Sequence, residues 1–166
     1  MKKLMFLLCA AVMLFASSCL NGGSSAGTSS ATYYGKMTVT DRTTGEVSYT
    51  DNEASVTVWI PNVLEPKFDF VFNGIKFDTG MPKVNIKIEG VPFTTTISED
   101  ETSLNYIFKA ENIVPTVGGI EYDKYKVALI EGCVGTVVDI TFTIPSKDKT
   151  VHFRSGKGTV AAASEE

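Results

Sequence analysis

Residues 138–144 read VDITFTI, a stretch in which apolar and polar side chains alternate without a break. Successive side chains of a β-strand point to opposite faces of the sheet, so this alternation predicts a strand with one buried face. Residues 145–148, PSKD, are turn formers, and residues 149–154, KTVHFR, resume the alternation. The end of the chain therefore predicts an antiparallel hairpin.

The same period of two continues upstream of this hairpin. It appears at positions 36–40, 54–60, 68–72, 84–89, 104–108 and 125–129. No segment of the body shows sustained helical spacing, and Pro115, Gly118 and Gly119 argue against a helix over residues 113–120. The body of the chain is therefore predicted to be all-β, with roughly eight to ten strands.

Turn signals separate these runs. Thr43-Thr44-Gly45 and Gly80-Met81-Pro82 lie between predicted strands, and Gly90-Val91-Pro92 is predicted to be a turn leading into a strand over residues 93–97. The dipeptide Asn73-Gly74 has two interpretations, a hairpin turn or a kink within one long strand.

Closure into a barrel is the favoured architecture. A sheet of eight or more strands exposes two unpaired edges unless it closes, and consecutive hairpins with short loops close into an antiparallel up-and-down barrel of about eight strands. The alternative is a β-sandwich. An immunoglobulin-like sandwich usually has a buried tryptophan beside a cysteine pair, and Trp59 has no such pair in this sequence.

The first residues are typical of an export signal. Lys2 and Lys3 precede an uncharged apolar run from Leu4 to Ala16. As a helix this run would be ~20 Å long, shorter than the ~30 Å hydrocarbon core of a bilayer, so it fits a signal peptide better than a membrane span. Small residues then precede Cys19, in the manner of a bacterial lipobox.

These features divide the chain into a lipoprotein signal peptide (1–18), a flexible Gly/Ser tether (19–31), a barrel domain (32–160) and a short tail (161–166). Cys19 is the predicted site of lipid attachment, and cleavage near Ser18 without lipidation is the alternative. The expected location is the bacterial cell envelope, facing the periplasm or in the outer membrane, with the N-terminal lipid as the contact to the membrane.

Several segments together resemble a known family. They are the lipobox and tether, the opening strand Tyr33-Tyr34-Gly35-Lys36-Met37-Thr38-Val39, and the segment from Phe72-Asn73-Gly74-Ile75-Lys76-Phe77 through Met81-Pro82. This combination resembles the calycin-like, lipocalin-related lipoproteins of bacteria over about residues 32–160. The resemblance implies an eight-stranded antiparallel barrel on a lipid anchor, and it implies no particular activity.

Charge and composition exclude some functions. The chain has 15 Lys and Arg against 19 Asp and Glu, a net charge of −4, which argues against a nucleic-acid partner. One histidine, His152, and one cysteine in the domain, Cys133, do not make a zinc site, and no metal or cofactor is predicted. Cys133 is expected to be a buried, unreactive side chain. The sequence offers no catalytic constellation, so the protein is predicted not to be an enzyme.

The sequence contains one acidic cluster and one basic cluster. The acidic residues Glu99, Asp100 and Glu101 are expected to form a solvated turn. Four basic residues near the C-terminus could contact lipid headgroups or polysaccharide, or could simply keep an edge soluble; they are Lys147, Lys149, Arg154 and Lys157.

Aromatic side chains recur on one face of two predicted strands. Phe68, Phe70 and Phe72 project to one face of a predicted strand, and Tyr106 and Phe108 do so on another. These five are the candidate ligand-binding residues if the barrel is incompletely filled, with tyrosine hydroxyls as polar anchors. The first functional hypothesis is therefore a non-enzymatic barrel that binds a small apolar or amphipathic ligand. The alternative is a protein- or glycan-interaction module that acts through its loops around a solid core.

Overall fold

The computed structural model describes residues 29–61, 64–97 and 103–161, with side chains as far as Gly156. Within these ranges the chain forms strands and two short 3₁₀ turns, Asp123–Tyr125 and Pro145–Lys147. The strands are β1 (Ser29–Asp41), β2 (Val47–Ile60), β3 (Lys67–Ile75), β4 (Val84–Ile97), β5 (Leu104–Ile113), β6 (Thr116–Val117), β7 (Ile120–Glu121), β8 (Val127–Val134), β9 (Val138–Ile144) and β10 (Lys149–Ala161).

The eight long strands form one closed antiparallel barrel, as predicted. Each pairs with its sequence neighbours, β5 pairs with β8 across the short β6–β7 excursion, and β1 pairs with β10 from Asp41↔Lys149 to Thr32↔Ala161. The pairing of β3 with β4 completes the ring. A sandwich would leave two separate sheets, so the sandwich alternative is wrong.

The two ends of the barrel are called upper and lower, and each is defined by the strand ends and connections that lie there. At the upper end β1 begins, β10 ends, and the connections 61–66, 98–103 and 135–137 are found. At the lower end lie the connections 42–46, 76–83, 114–126 and 145–148. β1 starts at Ser29, which pairs with Ile60, so residues 29–31 of the predicted tether belong to the sheet.

Asn73-Gly74 forms a β-bulge within β3, which agrees with the kink and excludes the hairpin. Phe72 pairs with Ile86 and Ile75 pairs with Val84, so β3 carries one residue more than β4 between these pairs. Gly74 has φ +66°, a left-handed value that glycine adopts without strain, and its N–H donates to the Asn85 side chain at 2.8 Å. The extra residue moves the inward-facing positions of β3 from even to odd numbers.

A second bulge replaces the turn predicted at Gly90-Val91-Pro92, and that prediction is wrong. β4 continues through these residues without a break. Between the pairs Phe68↔Val91 and Phe70↔Ile88 it carries the extra residue, and Gly90 has φ +69°. The buried Asp69 carboxylate accepts the Gly90 N–H at 2.8 Å. The bulge bends one long strand, so that its first half pairs with β3 and its second half with β5.

The barrel interior is packed with apolar side chains. Phe70 lies 4.8 Å from Phe108 between ring centroids, and Phe72 lies 4.7 Å from Phe142. The large side chains that are less than 2% exposed are Phe68, Phe70, Phe72, Phe77, Phe108, Phe142, Phe153, Met37, Ile75, Ile86, Ile88 and Ile130. Burial of this set supplies the main stabilisation of the fold.

The lower end is closed by side chains and by backbone. Phe77, in the β3–β4 connection, is 1% exposed, and its ring lies 5.0 Å from that of Tyr125. The Ser48 hydroxyl lies 3.1 Å from the Phe77 carbonyl oxygen, to which it donates. Where β5 separates from the first half of β4, β6 pairs with that half of β4 and fills the gap. The lower end is therefore sealed by a short insert and by ring packing.

Candidate functional site

Three aromatic rings meet at the upper end of the barrel and are called here the mouth cluster: Phe68, Phe93 and Tyr106. Phe68 stacks on Phe93 with ring centroids 4.2 Å apart, and Tyr106 meets both rings edge-on at 5.8 and 5.3 Å. Phe68 is fully buried, whereas Phe93 and Tyr106 are only half-buried. The mouth cluster therefore presents aromatic surface at the end of an otherwise packed interior.

Four of the five predicted aromatic candidates come together in the structure. Phe68, Phe70, Phe108 and Tyr106 form a continuous chain of ring contacts. Phe72 lies deeper, against Phe142. Phe68, Phe70, Phe72 and Phe108 are each 2% exposed or less, so these four are core residues, and of the five only Tyr106 reaches the surface.

Two tyrosine hydroxyls belong to the same end. Tyr33 of β1 is 7% exposed, and burial raises the pKa of its hydroxyl, with a further rise from the neighbouring Tyr106 phenol. Burial also raises the pKa of Tyr106. Both phenols therefore stay neutral at physiological pH. A neutral phenol both donates and accepts hydrogen bonds, so the pair can serve as polar anchors beside aromatic surface.

Phe93 is the member of the mouth cluster that the sequence did not single out. On β4 the inward positions are Ile86 and Ile88, and continued alternation would turn Phe93 outward. The Gly90 bulge inserts one residue and brings Val91 and then Phe93 to the inner face. The available signal was the isolated glycine inside an alternating run, which often marks a bulge.

A groove with a volume of about 510 Å³ lies on the outer wall, where β10, β1 and β2 adjoin. The residues that line it are polar side chains and glycines, two of them basic: Gly35, Lys36, Thr38, Asn52, His152, Arg154, Ser155 and Gly156. Gly35 is needed at the base of the groove, since a Cβ there would lie 2.1 Å from the Arg154 carbonyl oxygen. The strands therefore approach closely beside the groove.

The four predicted basic residues do not form one patch. Lys149 is at the lower end, 8% exposed, with its Nζ 3.4 Å from the Asp41 carboxylate. Lys147 lies over the Tyr125 ring, 5.5 Å from its centroid. Arg154 lies in the outer groove, and the side chain of Lys157 is outside the described part.

His152 and Cys133 do not form a catalytic pair in this fold. His152 is an outward strand residue with its Nε2 2.9 Å from the Asp139 carboxylate. Cys133 is half-buried rather than buried, which corrects the sequence expectation. Burial raises the pKa of its thiol, and the neighbouring Asp139 carboxylate raises it further, so the thiol stays protonated. Among the described residues, no three His, Cys, Asp or Glu side chains meet in a way that could hold a metal ion.

Two further predictions fall outside the described residues. They are the lipid-attachment site Cys19, with the signal peptide before it, and the acidic turn at Glu99, Asp100 and Glu101. Among the residues that are described, no helix is long and apolar enough to cross a membrane.

Comparisons with known proteins assign this chain to no family. No family model matches the chain, no curated protein matches it, and no solved structure matches it. The class is therefore defined by geometry alone: a closed, eight-stranded antiparallel up-and-down barrel with a packed aromatic interior.

Proposed function

We propose that this chain is a lipid-anchored, non-enzymatic binding protein of the bacterial cell envelope, and that it holds a small amphipathic molecule at the upper end of the barrel. The observation that carries the proposal is the mouth cluster, where half-buried Phe93 and Tyr106 lie above fully buried Phe68. An apolar group would pack on these rings, and the hydroxyls of Tyr106 and Tyr33 would orient a polar head.

Packing of the deeper rings restricts the ligand to this end. A ligand at the level of Phe70 or Phe72 would have to displace a fully buried ring, and loss of a buried phenylalanine from a core costs about 3–5 kcal/mol. Burial of ~200 Å² of apolar ligand surface at the mouth would contribute about 5 kcal/mol before the cost of association. The expected affinity is therefore modest.

The position where β1 begins determines how far the mouth cluster lies from the proposed lipid anchor. Nine residues lie between Cys19 and Ser29, where β1 begins at the upper end. A Gly/Ser-rich segment of that length typically spans ~17 Å. Acylation of Cys19 would therefore hold the mouth close to the membrane surface, where amphipathic molecules are concentrated.

Binding can be tested on protein released from the membrane by Cys19→Ser. We expect a lysophospholipid, added below its micelle-forming concentration, to shift the amide resonances of Phe93, Tyr106 and Tyr33. Tyr106→Ala should weaken this binding at least fivefold, because it removes both a ring and a hydroxyl. The matched control is Tyr34→Ala, which removes a tyrosine that is 44% exposed on the outer wall.

Two results would contradict the proposal. One is an absence of any shift at the upper end, and the other is equal loss of binding in Tyr106→Ala and Tyr34→Ala. The anchor is tested separately: radiolabelled palmitate should be incorporated into the full chain and not into the Cys19→Ser chain. Labelling of both, or of neither, would remove the anchor from the proposal.

The packed interior favours a second candidate function, an interaction module that acts through its outer surface. Phe70, Phe72 and Phe142 fill the middle of the barrel, so a macromolecular partner would use the wall or the loops. A pull-down from envelope extract separates the two candidates, because the loss of a partner in outer-wall variants, with the mouth unchanged, would favour this module.

A further inference from the structure

Two like charges face each other across the seam between β1 and β10. Lys36 and Arg154 are directly paired in the antiparallel register, and both side chains are exposed on the outer wall. Like charges at directly opposed positions destabilise a pair of strands. This arrangement therefore carries a cost in the protein without a ligand.

A neighbouring acid compensates only one member of this pair. Asp139 of β9 lies 3.8 Å from the Arg154 Nε and also contacts His152, whose Nε2 is 2.9 Å away. Lys36 has no ion pair with any residue in the described ranges. The Asp139 carboxylate lies on the β9 side of Arg154, away from Lys36, so the charge of Lys36 is left without a counter-ion within this part of the chain.

The same two cations line the outer groove of about 510 Å³. The groove lies beside an irregularity in the seam: one residue, Tyr34, separates the paired positions Tyr33 and Gly35 on β1, while four residues separate Ser155 from Val160 on β10. The groove is larger than a lone oxyanion needs and is within the range of small-ligand sites. Its neutral lining, Thr38 and Asn52, offers hydrogen-bond donors and acceptors to hydroxyl groups.

We propose that this groove is a binding site for an anionic saccharide, whose carboxylate or phosphate bridges Lys36 and Arg154 while its hydroxyls contact Thr38 and Asn52. An oxyanion between the two cations converts their repulsion into two charge-assisted contacts. A guanidinium is suited to carboxylate and phosphate, since its donors match both oxygens of such a group. The site lies on the outer wall and involves neither the mouth cluster nor the anchor.

Ligand binding is tested with full-length protein in a nonionic detergent, using glucuronate as the probe. We expect glucuronate to shift the resonances of Lys36, Thr38, Asn52 and Arg154, with millimolar affinity that weakens as salt is added. Lys36→Gln and Arg154→Gln should each weaken binding at least fivefold. The matched control is Lys109→Gln, which removes an outward lysine paired with Glu131 at 3.5 Å on another part of the wall.

The probes distinguish the sources of the anion. Glucose, the neutral counterpart, should bind at least fivefold more weakly than glucuronate. Equal binding of glucose and glucuronate, or no loss in either groove variant, would overturn the proposal. Binding of phosphatidylglycerol vesicles without binding of glucuronate would also overturn it, because the groove would then recognise a lipid headgroup.

Stability gives a readout that needs no ligand. Lys36→Glu replaces the like-charge pair by an opposite-charge pair, and we expect it to raise Tm by about 1–4 °C at low salt. Lys109→Glu, which places a like charge beside Glu131, should lower Tm instead. A lower or unchanged Tm in Lys36→Glu would show that the pair carries no repulsion for an anion to relieve, and would overturn the proposal.

Discussion

The two ends of the barrel differ in how their aromatic side chains are packed. At the lower end, the fully buried Phe77 packs on Tyr125, and a short β6–β7 insert pairs with β4. At the upper end, Phe93 and Tyr106 remain half-buried above Phe68. The core is therefore fully buried in this barrel, while Phe93 and Tyr106 keep aromatic surface accessible at the upper end.

The largest expected effect comes from truncating one ring at each end. Phe77→Ala should lower the free energy of unfolding by about 3–5 kcal/mol, because it opens a cavity at a fully buried site. Phe93→Ala should cost only about 1–2 kcal/mol, since part of that ring already contacts water. Urea denaturation of both variants measures the difference, and equal costs would contradict the contrast between the ends.

The next effect concerns the bulge that shapes the upper end. Asp69→Ala should lower the free energy of unfolding by about 1–3 kcal/mol, since it leaves the Gly90 N–H without its acceptor. Glu65→Ala is the control, because Glu65 makes an exposed ion pair with Lys67 that is worth about 0–1 kcal/mol. Asp69→Asn should retain most of the stability, and a cost as large as that of Asp69→Ala would show that the charge, rather than the acceptor, matters.

Alkaline pH should weaken the upper end. Tyr33 has a folded-state pKa above the ordinary value of 10.0, so the native state retains a proton that the unfolded chain loses. Its contribution is therefore fully present below about pH 10 and is lost as the pH rises through the raised pKa. We expect Tyr33→Phe to reduce the loss of stability as the pH rises above about 10 in urea titrations. An unchanged pH profile would show that Tyr33 is not the source of the loss of stability at alkaline pH.

Acid should weaken the lower end, with the smallest effect of the four. The pKa of Asp41 is lowered from 3.8, first by the Thr44 N–H and also by Lys149, so the unfolded chain binds the proton more readily than the native chain. The stabilisation is present above the unfolded pKa and is lost as the pH falls through the lowered value. The protection of the amides near residues 41–46, measured against the intrinsic exchange rate at each pH, should fall below about pH 4, and this fall should be smaller in Asp41→Asn.

Local pattern predicted most of the strands. In β9 the alternation is unbroken from Val138 to Ile144, it resumes in β10, and the structure buries each apolar side chain that this pattern assigned to the inner face. The turn at residues 145–148 is present as a 3₁₀ turn that ends at Asp148 with φ +52°. These features depend on residues close in sequence, which is why they were predictable.

The candidate sites were less predictable, because each depends on distant register. Phe93 enters the mouth cluster only through the Gly90 bulge, which Asp69 supports from another strand. Lys36 and Arg154 meet only because the first long strand pairs with the last. Aromatic faces alone also could not distinguish a packed interior from a pocket, and so the prediction assigned Phe70 and Phe72 to a site when they belong to the core.

The seam between β1 and β10 has a consequence for biogenesis. The ring is completed by residues at opposite ends of the domain, and the last strand contributes both Val151 and Phe153 to the core. A polypeptide that emerges N-terminus first, from the ribosome or in the export proposed above, cannot complete this ring until β10 has emerged. Contacts between sequence-distant segments form slowly, so the barrel is expected to close only after that last strand is available.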